Sequence, residues 1–168
     1  MLLWLRTTLF ADNRPVLLAG AVSASLLTAA LLFEHVGGLA PCKLCLTQRN
    51  PHYAMIALAM ISLISPFQQK TWRAVGALLG ATTAGVGLQH VGVEQGWWQG
   101  PQGCSSTIGS TDSLADITTT LLATAVVRCD EVAWSLFSIS MAGWNMIISA
   151  GLAIFLARAT FKITYSDH

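Results

Sequence analysis

Residues 16–35 read VLLAGAVSASLLTAALLFEH, a stretch that carries no charge before Glu34. At about 1.5 Å per residue, a helix of that length crosses a hydrocarbon core of about 30 Å. Three further apolar runs of similar length follow, at about 46–67, 74–93 and 132–157, and the four runs account for most of the 168 residues. Charged residues make up 10% of the chain and hydrophobic ones 54%, where a soluble domain carries about 25% charge. An ordinary soluble domain is therefore excluded, and so is a disordered chain. The net charge is +1, with no Lys/Arg-rich block to follow a phosphate backbone, so nucleic acid is not an expected partner. The expected fold is an all-α membrane protein, a single domain over residues 1–168 built as a four-transmembrane-helix bundle.

Local signals refine the spans. Pro15 opens the first, where a missing N–H is tolerated, and Gly37-Gly38 closes it. The second contains Asn50-Pro51; a start at Pro51 leaves too few residues to cross, which favours an earlier start with the proline inside. The third is dense in small residues (Gly76, Gly80, Ala84, Gly87), as expected of an interior helix whose neighbours approach closely. The fourth has Trp134 and Trp144 as interface anchors. Arg6, Arg14, Lys70, Arg73, Arg158 and Lys162 all fall on one side of the spans. The positive-inside rule makes that side, with both termini, cytoplasmic, and the loops at about 36–45 and 94–131 then face outward. In the second of these loops Leu114, Ile117, Leu121, Leu122 and Ala125 recur at helical spacing after Asp112-Ser113. That pattern predicts a short amphipathic helix lying horizontally along the outer membrane surface. Leu39-Ala40-Pro41-Cys42 has the outline of a lipoprotein cleavage site, but the proline opposes processing, so the first run reads as a retained span.

All four cysteines, Cys42, Cys45, Cys104 and Cys129, lie on the outward side. Outside the cytoplasm thiols tend to be oxidised, so two disulfides are expected rather than a zinc site, and no metal is expected. Three connectivities are possible; the spacing Cys42-Lys43-Leu44-Cys45 favours a local bridge, which leaves Cys104 with Cys129. A bridge closing that longer loop would stabilise by about 3–4 kcal/mol, which by itself suggests a structural staple. The 42–45 loop is too small to constrain the unfolded chain, so its reason is redox. Cys45 stands at the start of the second span, where the helix dipole and Arg49 one turn on both favour a thiolate.

A dithiol converted to a disulfide hands two electrons to an acceptor. Beside a bilayer the natural acceptor is a lipid-soluble quinone. Its reduction consumes protons, and His90, His35, Glu34 and Glu94 are ionisable groups near the outer ends of the first and third spans. Trp97-Trp98 reads as an interfacial aromatic belt rather than a platform for the acceptor's ring.

These residues resemble one known family. Glu34-His35-Val36, then Leu39-Ala40-Pro41-Cys42-Lys43-Leu44-Cys45 and on to Gln48-Arg49, then Gln89-His90-Val91, Gly100-Pro101-Gln102-Gly103-Cys104, and Cys129-Asp130-Glu131 with Trp134 and Leu136-Phe137-Ser138-Ile139-Ser140-Met141 are similar to the DsbB family, and the likeness covers most of the chain. The Glu94-Gln95-Gly96-Trp97-Trp98 stretch resembles an alphaproteobacterial branch of it.

The resemblance implies an inner-membrane oxidoreductase that re-oxidises a DsbA-type periplasmic thiol oxidant. In that scheme Cys104 and Cys129 form the disulfide that meets the partner, which replaces the structural reading of this pair. Electrons then pass to Cys42 and Cys45, and Cys45 delivers them to the quinone beside Arg49 and His90. A competing reading from another class is a non-catalytic four-helix scaffold whose disulfides only hold its outer loops. A third, similarity to vitamin K epoxide reductase, implies a CxxC late in the bundle, whereas this one comes early.

Overall fold

The computed structural model describes residues 2–65, 68–101 and 127–166. Within them lie helices α1 (Leu2–His35), α2 (Lys43–Ile64), α3 (Gln69–Glu94) and α4 (Met141–Ser166), with strands β1 (Ser135–Leu136) and β2 (Ile139–Ser140) just before α4. The horizontal helix expected near residues 113–126, and Cys104, lie outside the described residues.

Three boundaries show how local chemistry and packing compete. The sequence places the start of the first helix at Pro15, yet α1 begins at Leu2 and carries Pro15 inside it. Proline there forfeits one backbone hydrogen bond; the turn that follows buries Val16 and Ala19 against Met55, Leu58 and Ala59 of α2. α2 starts at Lys43 and runs on through Pro51, the earlier start that the length of the run requires. The fourth apolar run was expected to be helical from about Val132, but the helix starts only at Met141. Before it, Ser135 pairs with Ser140 and Leu136 with Ile139 in an antiparallel hairpin. The two turn residues, Phe137 and Ser138, have φ of 53° and 61°, the left-handed pair that a two-residue hairpin turn needs. An apolar run alone does not separate strand from helix, and here a tight turn of two non-glycine residues wins.

α3 is the interior helix, packed on α1, α2 and α4. Its glycines explain how closely it meets α4. A Cβ at Gly80 would sit 3.1 Å from the Ala153 nitrogen and 3.2 Å from the Ser149 carbonyl oxygen, and one at Gly87 would sit 3.0–3.2 Å from Met146. Only glycine lets the two backbones come so near.

Polarity is distributed inside out. Asn13, Ser23, Gln48, His52, Ser62, Thr83, His90 and Ser149 are buried, while Leu18, Leu32, Met60, Ile64, Leu78, Ile154 and Phe155 are exposed. A chain that turns large aliphatics outward and hydrogen-bonding groups inward is matched to a lipid solvent. Among the described residues, Asn13–His35 and Met141–Phe161 are long and apolar enough to cross a membrane, with mean hydropathies of 2.2 and 1.4. The other two expected spans, in α2 and α3, do not reach that level by composition. Gln48, Arg49, Asn50, His52 and Arg73, together with the glycines, dilute them, although their outward faces are apolar at Met60, Ile61, Leu78 and Leu88.

The close approach of α3 to α4 gives a paired expectation. Gly80→Leu should destabilise the protein by about 1–3 kcal/mol through overpacking. Gly85→Leu, whose added carbon would meet nothing within 4 Å, should change stability by less than about 0.5 kcal/mol. Thermal unfolding in detergent measures both, and equal losses would refute the packing account.

Candidate functional site

The CxxC motif gains its geometry from the start of α2. Cys42 is the N-cap residue in extended conformation, so Cys45 falls at the third helical position, where a capping side chain finds an unpaired N–H. The Cys42 sulphur accepts that N–H at 3.2 Å. The two sulphurs are 2.8 Å apart and both cysteines are free thiols. From α3, His90 Nε2 comes within 3.6 Å of the Cys42 sulphur. The hydrogen bond shared with Cys45, reinforced by those from His90 and from the Cys45 backbone N–H, holds the Cys42 thiol well below the usual range although burial opposes it. The sequence assigns the helix-start N–H to Cys45; in the structure the Cys42 sulphur accepts it.

A disulfide lies next to this pair. Cys129 is disulfide-bonded and fully buried, in one apolar cluster with Cys42, Leu44 and Val93, with Cys45 and Val127 at its edge. Beside Cys129 in sequence, Arg128 pairs with Asp130 at 2.7 Å and with Glu131 at 3.4 Å. The hydrogen bond from Arg128 keeps the exposed Asp130 carboxyl below the ordinary carboxylate range.

Cys42 and Cys45 open onto a cavity of about 380 Å³, walled by apolar side chains such as Leu26, Phe33, Trp134 and Trp144, with Arg49, His90 and Glu94 among its polar residues. Arg49 is ion-paired with Glu34 of α1 at 2.6 Å. Glu94 accepts a hydrogen bond from the Ser140 hydroxyl, and its other oxygen is 3.9 Å from His90 Nε2. Of the ionisable groups read from sequence, His90, Arg49 and Glu94 therefore meet at the cavity, and Glu34 reaches it through Arg49. His35 does not: it is exposed and hydrogen-bonds the Leu31 carbonyl one turn back. Trp97 and Trp98 do not line the cavity either. The indole N–H of Trp98 donates to the Gln89 carbonyl at 2.9 Å, and its ring fills the space over Gly92, where a Cβ would lie 2.1 Å from it.

Sequence reading gave no role to the polar residues behind the thiols. Gln48 Nε2 is 2.7 Å from His90 Nδ1, Asn145 Nδ2 donates to Gln48 Oε1 at 2.6 Å, and His52 lies between Asn145 and Ser23 at 2.9 and 3.1 Å. A signal was present. Cys45, Gln48 and His52 recur at helical spacing along one stripe of an apolar run, and a polar stripe at that depth marks a buried face.

The donor atoms of Cys42, Cys45 and His90 lie within 4.8 Å of one another, the outline of a metal site. Two thiolates on one tetrahedral zinc, each at about 2.3 Å, stand about 3.8 Å apart. At 2.8 Å these sulphurs are placed to bond each other rather than to share a metal.

A buried dithiol at a helix start, packed against a disulfide and opening onto an apolar cavity in an inside-out bundle, defines a thiol–disulfide protein of the membrane. The family model for DsbB, the disulfide bond formation protein, matches residues 12–159. Disulfide bond formation protein B of Verminephrobacter eiseniae (strain EF01-2) is 32% identical over 151 residues, covering 86% of this chain and 83% of the relative. The proteins of that name from Herminiimonas arsenicoxydans and Acidovorax sp. (strain JS42) are 29% and 30% identical, covering 90% and 88% of this chain and 97% and 84% of their own lengths. The chain belongs to the DsbB family of disulfide bond formation proteins.

The environment of Cys42 has a pH signature. A lowered thiol pKa means thiolate present above it and lost only as pH falls through it. Alkylation of the reduced protein should therefore occur first at Cys42 and persist far below the half-point of about 8.5 of an ordinary cysteine. A half-point near that ordinary value, read by mass spectrometry of the labelled peptide, would refute it.

Proposed function

We propose that this chain is an inner-membrane thiol oxidase that re-oxidises a DsbA-type periplasmic dithiol partner and passes the electrons to a quinone. The observation that carries the reading is the shared cluster: disulfide-bonded Cys129 and Cys42 belong to one buried apolar cluster, and Cys42 with Cys45 also lines the apolar cavity. The two pairs are neighbours in the fold.

The steps balance. Reduced partner exchanges with a Cys104–Cys129 disulfide through a mixed disulfide, leaving the partner oxidised and two thiols on this chain. Those thiols then reduce a Cys42–Cys45 disulfide by the same exchange. Closing Cys42–Cys45 again releases two electrons and two protons. A bound ubiquinone or menaquinone supplies the acceptor for both.

The cavity suits that group, with a volume of about 380 Å³, in the range of small-molecule pockets, apolar walls and polar groups gathered beside the thiols. Arg49 offers a cation at the cavity wall, half-neutralised by Glu34. His90 offers an imidazole between the Cys42 sulphur and Glu94. Cys45, one helical turn before Arg49, is the thiol that faces the acceptor, and Cys42 closes the disulfide behind it. The topology proposed with this function is four spans in the lipid bilayer, both termini cytoplasmic and the cysteine loops periplasmic. The apolar outward faces of α2 and α3 support counting them as spans.

Purified protein in detergent, given a reduced DsbA-type donor and ubiquinone, should reduce the quinone, and Cys45→Ser should abolish turnover. Cys104→Ser should abolish it with the protein donor. Full quinone reduction by the Cys45→Ser protein would overturn the relay, and a folded wild type inactive with several quinones and donors would favour the scaffold reading.

A further inference from the structure

Four helices contribute to one unbroken line of hydrogen bonds that ends at the Cys42 sulphur. It starts at Ser23 of α1, passes through His52 of α2, Asn145 of α4 and Gln48 of α2, and reaches His90 of α3. Cys42 follows at 3.6 Å. Ser23, His52, Gln48 and His90 are each less than a tenth exposed, and Asn145 is half-buried.

A carboxamide has one donor end and one acceptor end, so each amide in the line passes on a direction. With Asn145 Nδ2 donating to Gln48 Oε1, the Gln48 NH2 group is left to donate to His90 Nδ1. That nitrogen must then carry a lone pair, and the one ring proton of a neutral imidazole sits on Nε2. A second proton, on Nδ1, would set two donors against each other at 2.7 Å. The same logic makes His52 an Nε2–H donor to Asn145 Oδ1 and an Nδ1 acceptor of the Ser23 hydroxyl.

The line read in reverse, with both amides turned and both rings in the other tautomer, satisfies its internal bonds equally well. The far end decides between the two. Reversed, a neutral His90 would present a bare Nε2 lone pair to the Cys42 sulphur at 3.6 Å and to a Glu94 oxygen at 3.9 Å, and only a second ring proton would restore the Nε2–H. That sulphur already accepts the Cys45 backbone N–H, so a proton on Nε2 is the arrangement that avoids three acceptors facing one another. The other charged or titratable groups around this end are Cys45 and Arg49 of α2, the latter paired with Glu34 of α1, and Arg128 and Glu131 of the outer segment.

We propose that His52 and Asn145 are positioning residues for the thiol pair: acting through Gln48, they hold the His90 ring with its Nε2–H facing Cys42. The consequence is a fixed donor for the Cys42 thiolate, set by residues that touch neither sulphur. It deepens the oxidase reading and rests on it for its purpose, although the tautomer itself can be read without turnover.

Two measurements on the full-length reduced protein in detergent test this. Ring 15N spectra of histidine-labelled wild type should show His90 protonated at Nε2; a His90 protonated at Nδ1 alone overturns the proposal with no variant needed. The Cys42 thiolate half-point, read by pH-dependent alkylation, should rise by about one unit in Asn145→Leu, about a tenfold loss of thiolate at a given pH below it. His52→Leu should do the same and His52→Gln, which keeps a donor for Asn145, should restore it. An unmoved half-point in folded His52→Leu and Asn145→Leu proteins would reduce both residues to packing. Spectra and half-points as expected in a chain that reduces no quinone would sink the oxidase reading and leave the tautomer assignment standing.

Discussion

The hydrogen bond between Gln48 and His90 is the contact on which the site depends. It joins α2 to α3 at the level of the thiols, where both side chains are buried. An unpaired amide or imidazole there carries a penalty of about 1–3 kcal/mol. Through Asn145 the same amide is tied to α4, and through His52 to α1. The bundle can present aliphatic side chains outward while Gln48, His52, Asn145 and His90 satisfy one another inside. The glycines of α3 act with this arrangement: at Gly80 and Gly87 they bring α4 close, and Asn145, one residue before Met146, is carried within reach of Gln48.

The site also economises on charge. The cation of Arg49 is compensated by Glu34 across the α1–α2 interface, so the cavity wall gains a directed donor without an isolated buried charge. Glu94 is held by Ser140 at the start of α4. The hairpin that delivers Ser140 turns on Phe137 in a left-handed conformation, a strain of about 1–3 kcal/mol for a non-glycine residue. Phe137 and Leu136 both line the cavity, and a continuous helix from Val132 would place Ser140 and Phe137 elsewhere.

Much of this was legible from residue order, and the misses have physical causes. Apolar runs located the helices, and the glycine-dense third run identified the interior one. The CxxC spacing and the distances along the helix located Arg49 relative to Cys45. The fourth run misled because hydrophobicity is common to strand and helix; the turn at Phe137-Ser138 has none of the glycine or asparagine that normally marks it. Pro15 misled because proline is equally at home in a first turn and tolerated inside a helix that buries enough beyond it. His52 and Asn145 carried a signal, being polar within apolar runs, but their partners are far away in sequence and only packing shows which polar groups meet. The direction of the helix-start effect needed coordinates as well: a cap is defined by which sulphur accepts the N–H, and that is Cys42.

That cap links chemistry to backbone. As a thiolate, the Cys42 sulphur is a charged acceptor that ties down one of the unpaired N–H groups opening α2. As half of a disulfide it is neutral and a poor acceptor, and the same N–H loses its partner. In the proposed cycle the first turn of α2 is therefore held in one state and released in the other, and Gln48 and Arg49 lie immediately beyond it. Electron count and helix fraying become two descriptions of one event, and the thiol pair acts as a clasp that loosens its own mounting whenever it closes.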